Sequence, residues 1–197
     1  MTIGISAMRN LPDGDQNTVI GSEAMLAQDA TASGLKDVVA IGYRAFYGTG
    51  AGTADPNGTV AIGSSALTAL TAGNGNTAIG YKAMFSASSS SESTIMGYEA
   101  GMTLAGTHSN SFIGFKAGRL NIGSNNVAIG HGSLDASSGV SDDNVAIGKD
   151  AMGGAIAAEV VDDCVAIGSG ALSGALESTG ADEASGTIAI GKSALAA

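Results

Sequence analysis

A short phrase, apolar–small–Ile–Gly–x–x–Ala–apolar, recurs along the whole of this 197-residue chain. Such a period constrains the fold more than any other feature a sequence can carry. Clear copies are Val60-Ala61-Ile62-Gly63-Ser64-Ser65-Ala66-Leu67, Thr77-Ala78-Ile79-Gly80-Tyr81-Lys82-Ala83-Met84 and Val145-Ala146-Ile147-Gly148-Lys149-Asp150-Ala151-Met152. The anchoring glycines are Gly4, Gly21, Gly42, Gly63, Gly80, Gly97, Gly114, Gly130, Gly148, Gly168 and Gly191, with spacings of 17, 21, 21, 17, 17, 17, 16, 18, 20 and 23. Isoleucine precedes the glycine except at Met96, and alanine stands three after it except at Ser133.

The motif keeps its length while the segments between copies vary. A fixed structural rung joined by tolerant surface loops behaves in this way, because lengthening a loop adds little closure entropy. The intervening segments Asp55-Pro56-Asn57-Gly58, Gly73-Asn74-Gly75-Asn76 and Ala87-Ser88-Ser89-Ser90-Ser91 have the residue types of turns. Every acid except Glu23, Glu99 and Asp150 lies outside the motif.

Within a copy the period is two, with β-branched residues flanking a small one. Glycine then permits a turn that a Cβ would obstruct. No helix-length window carries apolar residues at 3.6 spacing, so helical repeat arrays are excluded. The expected fold is all-β: a parallel β-solenoid of about eleven rungs, one per motif, forming a single repeat domain over residues 1–197.

Both faces of a Val-Ala-Ile strand are apolar, the mark of a strand buried on two sides. A thin solenoid can cover only one face with its own interior. The expectation is that valine and isoleucine point inward. The alanine face (Ala40, Ala61, Ala78, Ala128, Ala146, Ala166 and Ala189) would then meet sister chains in a homotrimer. Ile95 and Phe112 break this small-residue column in adjacent repeats, and the pattern alone offers no account of them.

Composition agrees with a thin repetitive fold. There are 31 glycines, no tryptophan, four tyrosines and four phenylalanines, which is little material for one large core. The apolar fraction of 44% argues against disorder. A net charge of −10 argues against nucleic-acid binding, whose footprint is basic. A single cysteine, Cys164, precludes an intramolecular disulfide framework. The first residues contain no signal-peptide pattern, and no apolar run is long enough to insert into a membrane.

The copies Asn144-Val145-Ala146-Ile147-Gly148, Asn126-Val127-Ala128-Ile129-Gly130 and Asn76-Thr77-Ala78-Ile79-Gly80 resemble the head repeats of trimeric autotransporter adhesins, the YadA-like head family. The Asn-Thr-Ala-Ile-Gly-Tyr-x-Ala form is similar to repeats in bacteriophage tail fibres and virion-surface appendages. The resemblance implies a left-handed β-roll assembled as a homotrimer, with larger outer loops because the spacing here exceeds the family's usual short repeat. An adhesin would also carry a signal peptide, a coiled-coil stalk and a membrane barrel, whereas a phage protein is assembled in the host cytoplasm and released by lysis. The expectation is therefore a structural virion-surface protein, a tail fibre or capsid decoration. It would dock by one end, the N-terminal one, on other virion proteins. The alternative is a bacterial adhesin head that binds a host glycan or matrix protein.

Tyr43, Tyr81, Tyr98 and Phe115 each directly follow a motif glycine, the last three in successive repeats. Stacked, Tyr81, Tyr98 and Phe115 would form an aromatic stripe flanked by Lys82 and Lys116, a candidate face for a host-surface glycan. The competing reading is a stabilising ladder at the rung corner. Catalytic groups are not expected. His108 and His131 fall in different segments, His131 as a surface side chain on a rung edge. Glu23, Glu99 and Asp150 share a column on distant repeats, and Cys164 reads as a packed small residue. The pairs Asp13/Asp15, Asp142/Asp143 and Asp162/Asp163 match no calcium-loop pattern. No metal or cofactor is expected.

Overall fold

Eleven short strands, one per motif copy, build the molecule: β1 (Thr2–Ile3), β2 (Thr18–Ile20), β3 (Val39–Ile41), β4 (Val60–Ile62), β5 (Thr77–Ile79), β6 (Thr94–Met96), β7 (Ser111–Ile113), β8 (Val127–Ile129), β9 (Val145–Ile147), β10 (Val165–Ile167) and β11 (Ile188–Ile190). In the computed structural model each pairs in parallel with the next, giving one eleven-stranded sheet in chain order. The structure describes residues 1–9, 16–26, 35–48, 56–135, 141–154, 161–174 and 185–196, and no helix occurs among them. The chain is thus an all-β parallel solenoid. Asp13 and Asp15, and the added residues of the longest repeats, lie outside the described residues.

Register is strict. Ala146 faces Ala166 and Ile147 faces Ile167, and the same columns run through the stack. The motif glycine ends each strand by bending the chain. Its N–H donates to the residue before the glycine in the preceding coil, as from Gly114 to Met96 O at 2.8 Å and from Gly130 to Ile113 O at 2.8 Å. Gly114 has φ +143°, and a Cβ there would lie 2.4 Å from Gly130 O of the next coil. Backbone conformation and coil-to-coil approach therefore both demand glycine.

After the glycine the backbone alternates. The second and fourth residues beyond it adopt positive φ even when they are not glycine, as at Lys82 (53°), Met84 (52°), Asp150 (53°) and Met152 (50°). This conformation costs an ordinary residue roughly 1–2 kcal/mol. Bonds between coils offset the cost: Lys82 N–H donates to Ser64 O at 3.1 Å, and Met84 N–H to Ala100 O at 3.1 Å.

The interior reverses the expected parity. Ala40, Ala61, Ala78, Ala128, Ala146 and Ala166 are fully buried within the single chain, and Ala189 nearly so. They cannot line an interface between chains. The flanking valines and isoleucines face outward, and Ile113 and Ile129 remain 43% and 38% exposed. The physical reason lies across the coil, where Met25, Phe46, Leu67, Met84, Leu134, Met152 and Leu172 project inward from the fourth position after the glycine and are fully buried. With that space filled, the strand centre takes a small residue, alanine in most coils and valine at Val19 opposite Met25.

The same geometry accounts for Ile95 and Phe112. In those two coils the fourth position is Gly101 and Gly118. A Cβ built on Gly118 would meet the Phe112 ring at 2.2 Å, and one on Gly101 would meet Ile95 Cγ2 at 3.2 Å. Bulk is transferred across the coil and the total filling is kept, as a close-packed interior requires.

Before each strand a buried polar column locks adjacent coils. Asn126 Oδ1 accepts the Asn144 N–H at 3.0 Å, and Asn126 Nδ2 donates to Ser141 O at 2.7 Å. Asn110 and Asn144 repeat both bonds: Asn110 to the Asn126 N–H and Gly123 O, Asn144 to the Cys164 N–H and Val161 O. A buried amide is tolerated because its donor and acceptor both find partners.

Candidate functional site

Past the glycine corner, the first residue of each turn points outward, and register stacks these residues coil on coil. Tyr81 and Tyr98 stack at 5.0 Å between ring centroids, and Tyr98 and Phe115 at 5.2 Å with planes 11° apart. His131 continues the stack 4.9 Å from Phe115, so four rings form one ladder. The expected stripe of Tyr81, Tyr98 and Phe115 is present in the structure. His131 is exposed on the coil edge, as the sequence suggested, and its ladder membership was signalled by its column.

The lysines named beside the stripe lie against it. Lys82 Nζ sits 5.3 Å from the Tyr81 ring centre and 5.4 Å from that of Phe85; Lys116 Nζ is 5.0 Å from Phe115. Lys82 makes cation–π contacts, whereas Lys116 meets Phe115 at its edge, since rings cover both of that ring's faces. Burial among its neighbours, followed by the charge of Glu99, raises the Tyr98 phenol above its ordinary value.

Stacking has a chemical consequence. A saccharide packs on the face of an aromatic ring, yet within the ladder each inner ring has both faces covered by rings. The exposed surface of Tyr98 and Phe115, 44% and 42%, is therefore edge.

The acids of the second column are neutralised one by one. Glu23 binds Arg44 at 2.7 Å, Glu99 lies 3.9 Å from Lys116, and Asp150 meets Lys149 at 3.3 Å and His131 at 3.7 Å. Arg44 is held in its charged form chiefly by the hydrogen bond to Glu23. The stacked aspartates act on backbone: Asp162 Oδ1 accepts the Asp142 N–H at 2.7 Å, and Asp142 Oδ1 accepts that of Ser124. No group of three or more metal-ligating side chains occurs among the described residues.

Cys164 is buried and forms no disulfide, its thiol donating to Asp162 O at 3.3 Å. Burial raises its pKa, which suits a packing residue better than a nucleophile. No helix among the described residues is long and apolar enough to cross a membrane. Compared with family models, curated proteins and solved structures, the chain finds no match.

Proposed function

We propose that this chain is a structural component of a bacteriophage surface, a tail fibre or capsid decoration. It works as a left-handed, homotrimeric rod that displays its outer columns to the host. The observation that carries the assembly is the outward face of the sheet. Its third-position column runs in register through Ile62, Ile79, Met96, Ile113, Ile129, Ile147 and Ile167, while the first-position column holds Val60, Val127, Val145 and Val165 and is broken by Thr77, Thr94 and Ser111. A monomer would leave the isoleucine column open to water along its length. Sister copies that contribute the same columns around the rod axis would cover it. The interface thus falls on valine and isoleucine, in place of the alanines first assigned to it.

Support for a virion component comes from the resemblance of the repeats to phage appendage repeats and from the stack itself, whose uninterrupted pairing suits a stiff spacer. Stiffness and display, without bond chemistry, would be its contribution. A bacterial adhesin head would employ the same rod. Immunogold labelling separates the two: label on purified phage particles from a lysate is expected, and label confined to bacterial envelopes would overturn the phage reading.

A further inference from the structure

The aromatic column is interrupted once, and the interruption has a shape. Tyr43 and Tyr81 lie two coils apart, with Ser64 in the coil between them. The next column does the same with Arg44, Ser65 and Lys82. So does the fifth position after the glycine, with Tyr47, Thr68 and Phe85. The third and fifth coils thus each present two aromatics and a cation, and the fourth presents only small hydroxyl residues.

Both walls are internally packed. The Arg44 guanidinium lies 5.3 Å from the Tyr43 ring centre and 5.1 Å from that of Tyr47, matching Lys82 over Tyr81 and Phe85. The result is a transverse groove one coil wide. At roughly 4.8 Å per coil, its walls stand about 10 Å apart. A ring inserted above Ser64 would lie about as far from each wall as the ladder rings lie from one another. Tyr43 and Tyr81 remain 47% and 40% exposed. Tyr81 stacks with Tyr98 on one side only, so its face toward Ser64 is not covered by a ring.

Charge selects among rings. The chain carries eight Lys and Arg residues against eighteen acids, and two of those eight flank this groove. Arg44 is drawn toward Glu23 in the preceding coil, on the side away from Ser64. Lys82 makes no ion pair among the described residues, since the acid next to it in its column, Glu99, pairs with Lys116, and Lys82 supplies the positive charge.

We infer that the groove walled by Tyr43 and Tyr81 and floored by Ser64 binds one ring of an anionic saccharide. The ring's faces would pack on the aromatics, its hydroxyls meet Ser64 and Ser65, and its acidic group meet Lys82. The inference rests on the surface-display reading and gives it a ligand class. The strand columns proposed for trimer contact precede the glycine, whereas the groove lies beyond it.

The test is a glycan array carrying uronate-containing, sialylated, sulfated and neutral saccharides, followed by titration of the strongest hit. Preferential retention of the anionic members is expected, with the carboxylated and sulfated arms telling which acid is preferred. Ser64→Tyr, which completes the ladder, and Tyr81→Ala should each weaken binding by about tenfold or more, with melting unchanged or raised for Ser64→Tyr. Tyr98→Ala, inside the stack, should leave binding within about twofold. No anionic preference, or binding that survives Ser64→Tyr, would overturn the inference, as would loss on Tyr98→Ala with Ser64→Tyr intact. Particle labelling with no binding removes the groove and spares the virion reading; binding without particle labelling does the reverse.

Discussion

Two kinds of coil fill the same cross-section by opposite means. In the coils of Gly63 and Gly130 a strand-centre alanine faces a leucine from the fourth position after the glycine, Ala61 with Leu67 and Ala128 with Leu134. In the coil of Gly114 the strand centre is Phe112 and the fourth position is Gly118. All the side chains concerned are fully buried, and backbone pairing continues through both kinds without a change of register. The coil outline is therefore set by the hydrogen-bonded backbone, and the interior has only to be filled to the same volume.

The largest effect is expected where that filling is removed outright. Phe112→Ala should destabilise the protein by about 3–5 kcal/mol, because Gly118 offers nothing to occupy the space; urea unfolding measures it. A loss below about 1 kcal/mol would mean that the coil collapses, contradicting a backbone-set outline. Adding Gly118→Leu to Phe112→Ala recreates the arrangement of the Gly63 coil and should recover more than half of the loss. Gly118→Leu alone should destabilise, since its first side-chain atom would overlap the ring. The coupling between the two sites should reach about 2 kcal/mol, and simple additivity in the cycle would refute the account of these coils.

Smaller effects test what both coil types share. Asn126→Ala leaves the buried N–H of Asn144 and the carbonyl of Ser141 without their partner, a loss of about 1–3 kcal/mol. Hydrogen exchange should locate the weakening at the strands on either side. The smallest change has the opposite sign. Ser109 holds φ at 57° and is exposed, so Ser109→Gly should stabilise by up to about 1 kcal/mol. A lower melting temperature for this variant would show that positive φ costs Ser109 less than argued.

These contrasts mark what was legible in the sequence. The repeat named every strand and every corner glycine, because Ile-Gly, or Met96-Gly97 once, recurs wherever a coil must bend against its neighbour. Parity was not legible from Val-Ala-Ile, since both faces are apolar and the larger residues suggest an interior. The decisive signal lay in Ile95 with Gly101 and Phe112 with Gly118, where a bulky strand centre coincides with a missing fourth-position side chain. That pairing makes sense only if the two positions face each other inside the coil.

The positive-φ turns left little trace, because most of their residues are not glycine and owe the conformation to bonds between coils. The aromatic ladder followed from one column alone. The groove needs three columns, and Tyr47 with Phe85 carries no motif signal of its own. His131 entered the ladder through position, while its imidazole by itself suggested only a surface side chain.

The outward valine and isoleucine columns carry the central claim, that each rod keeps an apolar stripe which only its own copies cover. Multi-angle light scattering of the intact chain tests this most directly. The expected mass is three times 19.0 kDa. A well-dissolved species of 19.0 kDa, with Ile129 and Ile147 open to water, would contradict it.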